Sequence, residues 1–518
     1  MKRRSFLKNT TALSLPIFVN GIPLHGMSMP SAFTGMNGDS DRVLVLIQLN
    51  GGNDGLNTII PLDSYDNLAN LRSNIMLPEN SLIQITGDNA FHPAFTGMAD
   101  LFDNAKLNIV QNVGYPNQNR SHFRSTDIWQ TASEADEYLS TGWVGRYFES
   151  KFPGYPQDYP NADCPDPFAM TIGAVVSETC QGISGNFSVA VNNPNDLFEL
   201  PVGAQGNYDP ASCYGKQVDF VRLTIKQTNA YADRITEAYN AGTTQATYPQ
   251  DNGLANQLRT VASLIKGGLQ TRVYIVSQGG YDTHANQTEG GDPLLGFHTQ
   301  LLTNLSEAVS AFQNDIELMG IQERVIGMTF SEFGRQIRSN DGVGTDHGDA
   351  APLMVFGNCV NPGIIGDNPD IPAQVDVQTG LPMQYDFRSV YGSILMDWFE
   401  VPEAEVKDML FDEFQYLPIL KTCDSVDTYE PPAQELSINV YPNPFMEWLT
   451  IEFGTENEWA KVSLFDARGQ ELRVLASRKF SEGEHTVKLE ARDLAAGNYF
   501  IRIQTEKQVK TKSIIRVR

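Results

Sequence analysis

Five short stretches of this chain carry side chains able to hold a cation and attack an ester. They are Asn50-Gly-Gly-Asn-Asp54-Gly, Asn119-Arg120-Ser121-His122, Asp282-Thr-His284, Ser331-Glu332-Phe-Gly-Arg335 and Gly344-Thr-Asp346-His347-Gly348. Carboxylates mixed with imidazoles suit a divalent ion such as zinc or manganese, with calcium or magnesium as alternatives, and flanking glycines let the backbone turn such ligands inward. Asp282 and His284 stand two apart in one loop, and His347 arrives from another. Three ligands from two places leave a position for substrate or water, the arrangement of a catalytic metal site. The chain has seven histidines, of which His284 and His347 both fall in Gly-flanked loops at predicted strand ends. His298 lies in a helical stretch and reads as a packing residue. His92, in Phe91-His-Pro-Ala, is expected to begin a helix. Ser121, at a predicted helix start, reads first as an N-cap. The same place would also serve a nucleophile, because backbone N–H groups and Arg120 or Arg124 nearby would stabilise an anionic intermediate beside a cation.

These residues need elements that bring them together. Arg42 to Leu49, Leu107 to Val113, Thr271 to Ser277 and Arg324 to Phe330 are short apolar runs, each ending in a polar or Gly-rich turn, and a further run covers Pro352 to Phe356. Buried parallel strands have this form. Helical spacing fills Gln217 to Tyr239, Leu254 to Lys266 and Leu294 to Leu318. Strands alternating with helices predict an α/β fold, a mostly parallel sheet with helices on both faces. Ligands bind such sheets outside the carboxyl ends of the strands, where the first four stretches fall; the fifth leads into the run at Pro352.

A length of 518 residues predicts two or three domains. The net charge of −25 disfavours nucleic acid as a partner. That charge is uneven: from Ser437 onward there are 13 basic against 11 acidic residues, leaving 24 against 51 before it. The acidic, Pro-interrupted stretch at 424–436 reads as a linker. It separates an α/β domain at 39–423 from a small domain at 437–518. Residues 1–38 read as an export signal and leader, opening Lys2-Arg3-Arg4-Ser5-Phe6-Leu7-Lys8. The paired arginines resemble a twin-arginine signal. No later run is apolar enough to span a membrane. Five cysteines fit no Cys-x-x-Cys spacing, and export permits pairing among Cys164, Cys180 and Cys213.

The order of motifs resembles the alkaline phosphatase and sulfatase superfamily, whose members hold one or two metal ions beside a hydroxyl or modified-cysteine nucleophile. More narrowly, the Asp54, Ser121 and Thr141-Gly-Trp-Val-Gly-Arg146 segments, with Asp282-Thr-His284, Ser-Glu332-Phe-Gly-Arg335 and Asp346-His347-Gly, resemble the exported family known as domain of unknown function 1501. Carried over by position, the resemblance implies one metal site of Asp282, His284 and His347. It implies a second of Asp54 or Asn50, Ser121 and Glu332, with Ser121, His122 and Arg120 as catalytic groups and Asp346 and Arg335 beside them. The chain departs from the superfamily in having Asn50 where an Asp is usual and Glu332-Phe333 where an Asp-His pair is usual. The implied activity is hydrolysis of phosphate or sulfate esters, of small molecules or glycans; the alternative is a non-catalytic binding protein on the same scaffold.

After the linker, short alternating runs at Leu449–Phe453, Ala460–Phe465, His485–Leu489, Tyr499–Ile503 and Ser513–Val517 predict a small antiparallel β-sandwich. The Tyr441-Pro-Asn-Pro444 opening, the Asp466-Ala-Arg-Gly469 turn and Leu494-Ala-Ala-Gly-Asn-Tyr-Phe500 resemble the type A sorting domain of the type IX secretion system, which makes that machinery an expected partner.

Overall fold

In the computed structural model the described residues are 18–19, 22–23, 41–197, 209, 212–289, 291–423, 438–455, 459–466, 471–481, 483–492, 494–505 and 509–517. The rest of the export signal and leader, the linker and most of the turn at 466–469 lie outside them. The chain forms two compact units, Met1–Ser425 and Val426–Arg518.

The large unit is built on a sheet of nine strands: β1 (Val43–Asn50), β2 (Leu107–Gly114), β3 (Ala169–Ile172), β4 (Ser188–Val191), β5 (Val273–Gly279), β6 (Val325–Phe330), β7 (Ala351–Phe356), β8 (Gly363–Ile365) and β9 (Tyr385–Asp386). Their order across the sheet is β8-β2-β7-β6-β1-β5-β3-β4, with β9 also on β2. All pairings are parallel except those of β7, which runs antiparallel to both β6 and β2. Its start, Ala351, therefore pairs with Val113 near the carboxyl end of β2.

Helices cover both faces, and β1 shows why. Its odd residues Val43, Val45, Ile47 and Leu49 pack into one core with side chains of α2 (Thr96–Asp103), α5 (Cys213–Ala241), α6 (Gly253–Lys266) and α7 (Phe297–Leu318). The even residues Leu44 and Leu46 pack into a second core with α3 (His122–Thr131), α4 (Trp143–Lys151), α8 (Phe387–Phe399) and α9 (Glu403–Met409). A strand buried on both sides must be apolar at every position, the sequence signature that marked it. A short helix, α1 (Tyr65–Leu71), precedes α2. Its C-cap residue is Arg72.

Two expectations need correction. The disulfide joins Cys359 to Cys423 and not any pair among Cys164, Cys180 and Cys213; Cys180 is a buried thiol. His92 does not begin a helix, because α2 starts at Thr96; its Nδ1 instead accepts the Ala94 N–H at 3.0 Å.

The small unit has two antiparallel sheets over one core. One holds Ile438–Tyr441, Trp448–Thr455 and Gly483–Glu490; the other holds Glu471–Lys479, Trp459–Asp466, Gly497–Thr505 and Val509–Arg516. The strand Glu471–Lys479 was missed because Arg473-Val-Leu-Ala-Ser-Arg478 does not alternate cleanly.

Candidate metal centre at the carboxyl edge

The site is assembled where β1, β2, β5 and β6 end and β7 begins. The reversed direction of β7 matters here, since it puts the loop before that strand, with Asp346 and His347, at the edge where the parallel strands finish. The Asn50 carbonyl accepts the Tyr281 N–H at 3.1 Å and joins the first turn to the loop after β5. Gly51 and Gly52 follow with φ of +122° and +81°. A Cβ on Gly51 would stand 2.3 Å from Asp282 N, and one on Gly52 2.3 Å from the Phe333 ring. Only glycine fits both the conformation and the space.

Arg335 is buried beneath these turns and uses all three of its nitrogens. Nε donates to Gly52 O at 2.7 Å, Nη1 to Thr345 O at 2.8 Å, and Nη2 to Tyr281 O at 2.8 Å, to Asp282 Oδ1 at 2.9 Å and to Gly51 O. One guanidinium thus pins the loops after β1, after β5 and before β7.

Above it stand three imidazoles. His122 Nδ1 lies 2.9 Å from Glu332 Oε1, His284 Nδ1 2.7 Å from Asp346 Oδ1, and His347 Nδ1 2.8 Å from the Arg120 carbonyl. An acceptor on every Nδ1 places the hydrogen there and leaves the lone pair on Nε2. The three Nε2 atoms surround the Asp282 carboxylate: His347 at 3.0 Å and His284 at 3.2 Å from Oδ1, His122 at 3.3 Å from Oδ2. His284 Nε2 and His347 Nε2 are themselves 2.9 Å apart. Lone pairs that close, facing each other and a carboxylate, repel unless a proton or a cation stands among them. The donor set, imidazole nitrogen with carboxylate oxygen, fits a divalent transition metal.

The electrostatics agree. Burial pushes the Asp282 carboxyl up, but the hydrogen bond and charge of Arg335, together with the neighbouring imidazoles, outweigh it and bring it down to about 2. Burial holds the His347 imidazole below its ordinary value and so favours the neutral, ligating form. The Asp282 side chain is 46% exposed, so the cluster is open to solvent.

The sequence-nominated residues divide. Asp282, His284, His347, His122, Glu332, Asp346 and Arg335 meet in this cluster. Asp54 does not offer itself as a ligand: it is 1% exposed, its oxygens take both bonds from Arg72 Nη1 at 2.9 and 2.8 Å, and Oδ2 takes Gln287 Nε2 at 2.6 Å. Asn50 contributes its carbonyl. The Arg120 guanidinium is committed to Asp349, at 2.8 and 2.6 Å, and to Gln378 O at 2.9 Å. Ser121 is an exposed N-cap of α3 whose side chain makes no capping bond; its neighbours on both sides enter the cluster. Phe333 is buried against the His122 and His347 rings, with centroids at 5.0 and 4.5 Å. The imidazole beside Glu332 is His122, arriving from another strand end.

Sequence reasoning missed Asn340, whose Nδ2 donates to Asp346 Oδ1 and His284 O, and also Gln287, Asp349 and Arg72. Asn340, in Asn-Asp-Gly, carried a turn signal. Arg72 carried none.

The fold and cluster define an α/β protein with an open, imidazole-rich cluster of candidate metal ligands, joined to an antiparallel β-unit. Residues 229–387 match the family described as "Protein of unknown function (DUF1501)", and residues 439–517 match the secretion system C-terminal sorting domain. The large unit thus carries the DUF1501 signature, and the small unit is a sorting domain that directs the chain to export by the type IX system, for release or attachment at the cell surface. No helix among the described residues is long and apolar enough to cross a membrane. No curated protein matches the chain. Similar solved structures include a protein of the alkaline phosphatase superfamily from Vibrio parahaemolyticus, 8% identical over 91% of this chain and 78% of that one, TM-score 0.32. Another is the sulfatase PsFucS1 from Pseudoalteromonas sp., 8% identical over 90% and 88%, TM-score 0.31. PorZ, of the Porphyromonas gingivalis type IX system, is 22% identical over 16% of this chain and 12% of its own length, TM-score 0.13. Scores this low bear on no functional argument.

Proposed function

We propose that the large unit is a secreted, metal-dependent hydrolase of phosphate or sulfate esters. The observation that carries this reading is the convergence of three imidazole Nε2 atoms on Asp282, each ring held by an acceptor on its other nitrogen. His122, His284, His347 and Asp282 would hold the ion, and so many imidazoles favour zinc. Such an ion, when bound, supplies a Lewis acid that polarises an ester oxygen. Glu332, Asp346 and the Arg120 carbonyl keep the rings oriented. Ser121 would supply the attacking oxygen from the start of α3, where the first-turn N–H groups stabilise negative charge.

Elemental analysis of the purified chain tests the first half: the expected result is stoichiometric zinc or manganese. Aryl phosphate and aryl sulfate turnover by wild type and Ser121→Ala tests the second. A loss of several orders of magnitude is expected, with stability unchanged within about 0.5 kcal/mol because no capping bond is lost. Unchanged turnover removes Ser121 from its role.

A second reading, a metal-holding binding protein without catalysis, is favoured by the lack of any hydrogen bond tying the Ser121 side chain to the cluster. Stoichiometric metal with no ester turnover would select it.

A further inference from the structure

Resting on the metal-centre reading, we propose that the site selects a singly charged ester, a sulfate monoester or a phosphate diester, over a doubly charged phosphate monoester. The juxtaposition behind this is a shell of four carboxylates, Asp282, Glu332, Asp346 and Asp349, against two guanidiniums, Arg120 and Arg335. Both guanidiniums are already spent. Arg335 is buried, with its donors on Asp282 and four backbone carbonyls. Arg120 is held in a two-bond fork by Asp349, and its remaining nitrogen is on Gln378 O. Arg124, the next cation along, is occupied by Asp127 and by carbonyls of 134, 135 and 137. Arg338 is exposed on the loop before Asn340 and makes no hydrogen bond or ion pair with the shell.

The shell therefore carries two negative charges in excess, and one divalent ion brings it to neutrality. A neutral shell leaves no surplus positive charge to offset a second negative charge on the ligand, and the acidic surface beyond adds repulsion. Clamping a dianion calls for a free arginine fork or a second cation, and the two arginines of the shell have given their N–H groups to carboxylates and backbone carbonyls.

The full-length chain is loaded with zinc, its metal content measured, and two properties are compared. The first is turnover of 4-nitrophenyl sulfate, methyl 4-nitrophenyl phosphate and 4-nitrophenyl phosphate at pH 8.5. The second is calorimetric binding of the unreactive methyl sulfate, dimethyl phosphate and methyl phosphate. One ion per chain is expected, with the singly charged ligands bound at least about tenfold more tightly than methyl phosphate. Asp349→Asn, which releases Arg120, should narrow that gap severalfold by raising methyl phosphate affinity alone. Two ions per chain, equal or tighter binding of the dianion, or no anion binding at all would overturn the inference. If no ester is turned over, hydrolysis falls as the function while the binding comparison still decides the charge preference.

Discussion

Two polar clusters lie close together in the large unit and are made of the same residue types, yet they are opposite in character. One is the open cluster around Asp282. The other is the closed cluster around Asp54, where Arg72 is fully buried, Gln287 and Asn57 complete the bonding, and His298 Nε2 donates to Asn53 Oδ1 at 3.1 Å with His92 against its ring. In the closed cluster each strong charge meets its opposite. In the open one, three lone pairs and a carboxylate point at a common space. Residue type does not mark a site; unmet bonding capacity does.

That contrast can be broken deliberately. The largest effect should come from His347→Ala, which should abolish stoichiometric metal binding while leaving the melting temperature of the metal-free protein nearly unchanged, since it removes one of the imidazoles that repel in its absence. Asp54→Asn should do the reverse. It leaves Arg72 buried with an uncompensated charge and should cost about 3–5 kcal/mol in urea unfolding, with metal stoichiometry intact in whatever remains folded. A metal loss without destabilisation in Asp54→Asn would erase the distinction between the clusters.

Acid should attack the closed cluster in a definite direction. Burial lowers His92 to about 3 and His298 to about 4, from 6.5. The unfolded chain then binds more protons below about 6.5, so this stability is complete above that pH and is lost as pH falls toward 4. The loss should be about 1.4 kcal/mol per pH unit for each histidine. Urea titrations at pH 7 and pH 5 check it, and His298→Asn should flatten the slope.

The smallest effect concerns the residue between the clusters. Gln287 donates to Asp54 and accepts from Thr283 Oγ1 at 3.1 Å and Thr345 Oγ1 at 2.8 Å, one from each of the loops that carry Asp282 and His347. Gln287→Leu should weaken zinc by about 10–100-fold, as loss of an outer-shell partner does. Competition with a chromogenic chelator would measure it; an unchanged affinity would mean the two clusters are independent.

Much of this architecture was legible from apolar runs. Strands such as β1 and β6 are buried on two faces and leave continuous hydrophobic stretches, and His284 and His347 stood out because glycines flank them at strand ends. His122 was nominated, but beside a helix start it read as a catalytic partner of Ser121; its place among the imidazoles depends on Glu332, 210 residues away. Asp54 was misplaced for the matching reason. Its partner Arg72 follows a short helix with no motif, and a carboxylate in a Gly-rich turn looks the same whether it faces solvent or a buried guanidinium. Long-range pairing of charges leaves no local pattern, so the cysteine pairing was equally silent.

The antiparallel strand β7 has an evolutionary consequence. Because β6 leaves the sheet edge and β7 returns to it, residues 331–350 form one hairpin-like excursion, closed by a bridge between Arg335 and His347. Glu332, Arg335, Asp346 and His347 all travel on that one contiguous segment, while its tip near Asn340 to Gly344 lies beyond the bridge. A lineage could lengthen that tip, and with it the wall that a ligand meets, without disturbing a strand, so long as the Asn340 bonds to Asp346 and the His284 carbonyl are kept. The segment behaves as a cassette, and diversity among relatives should concentrate at its tip.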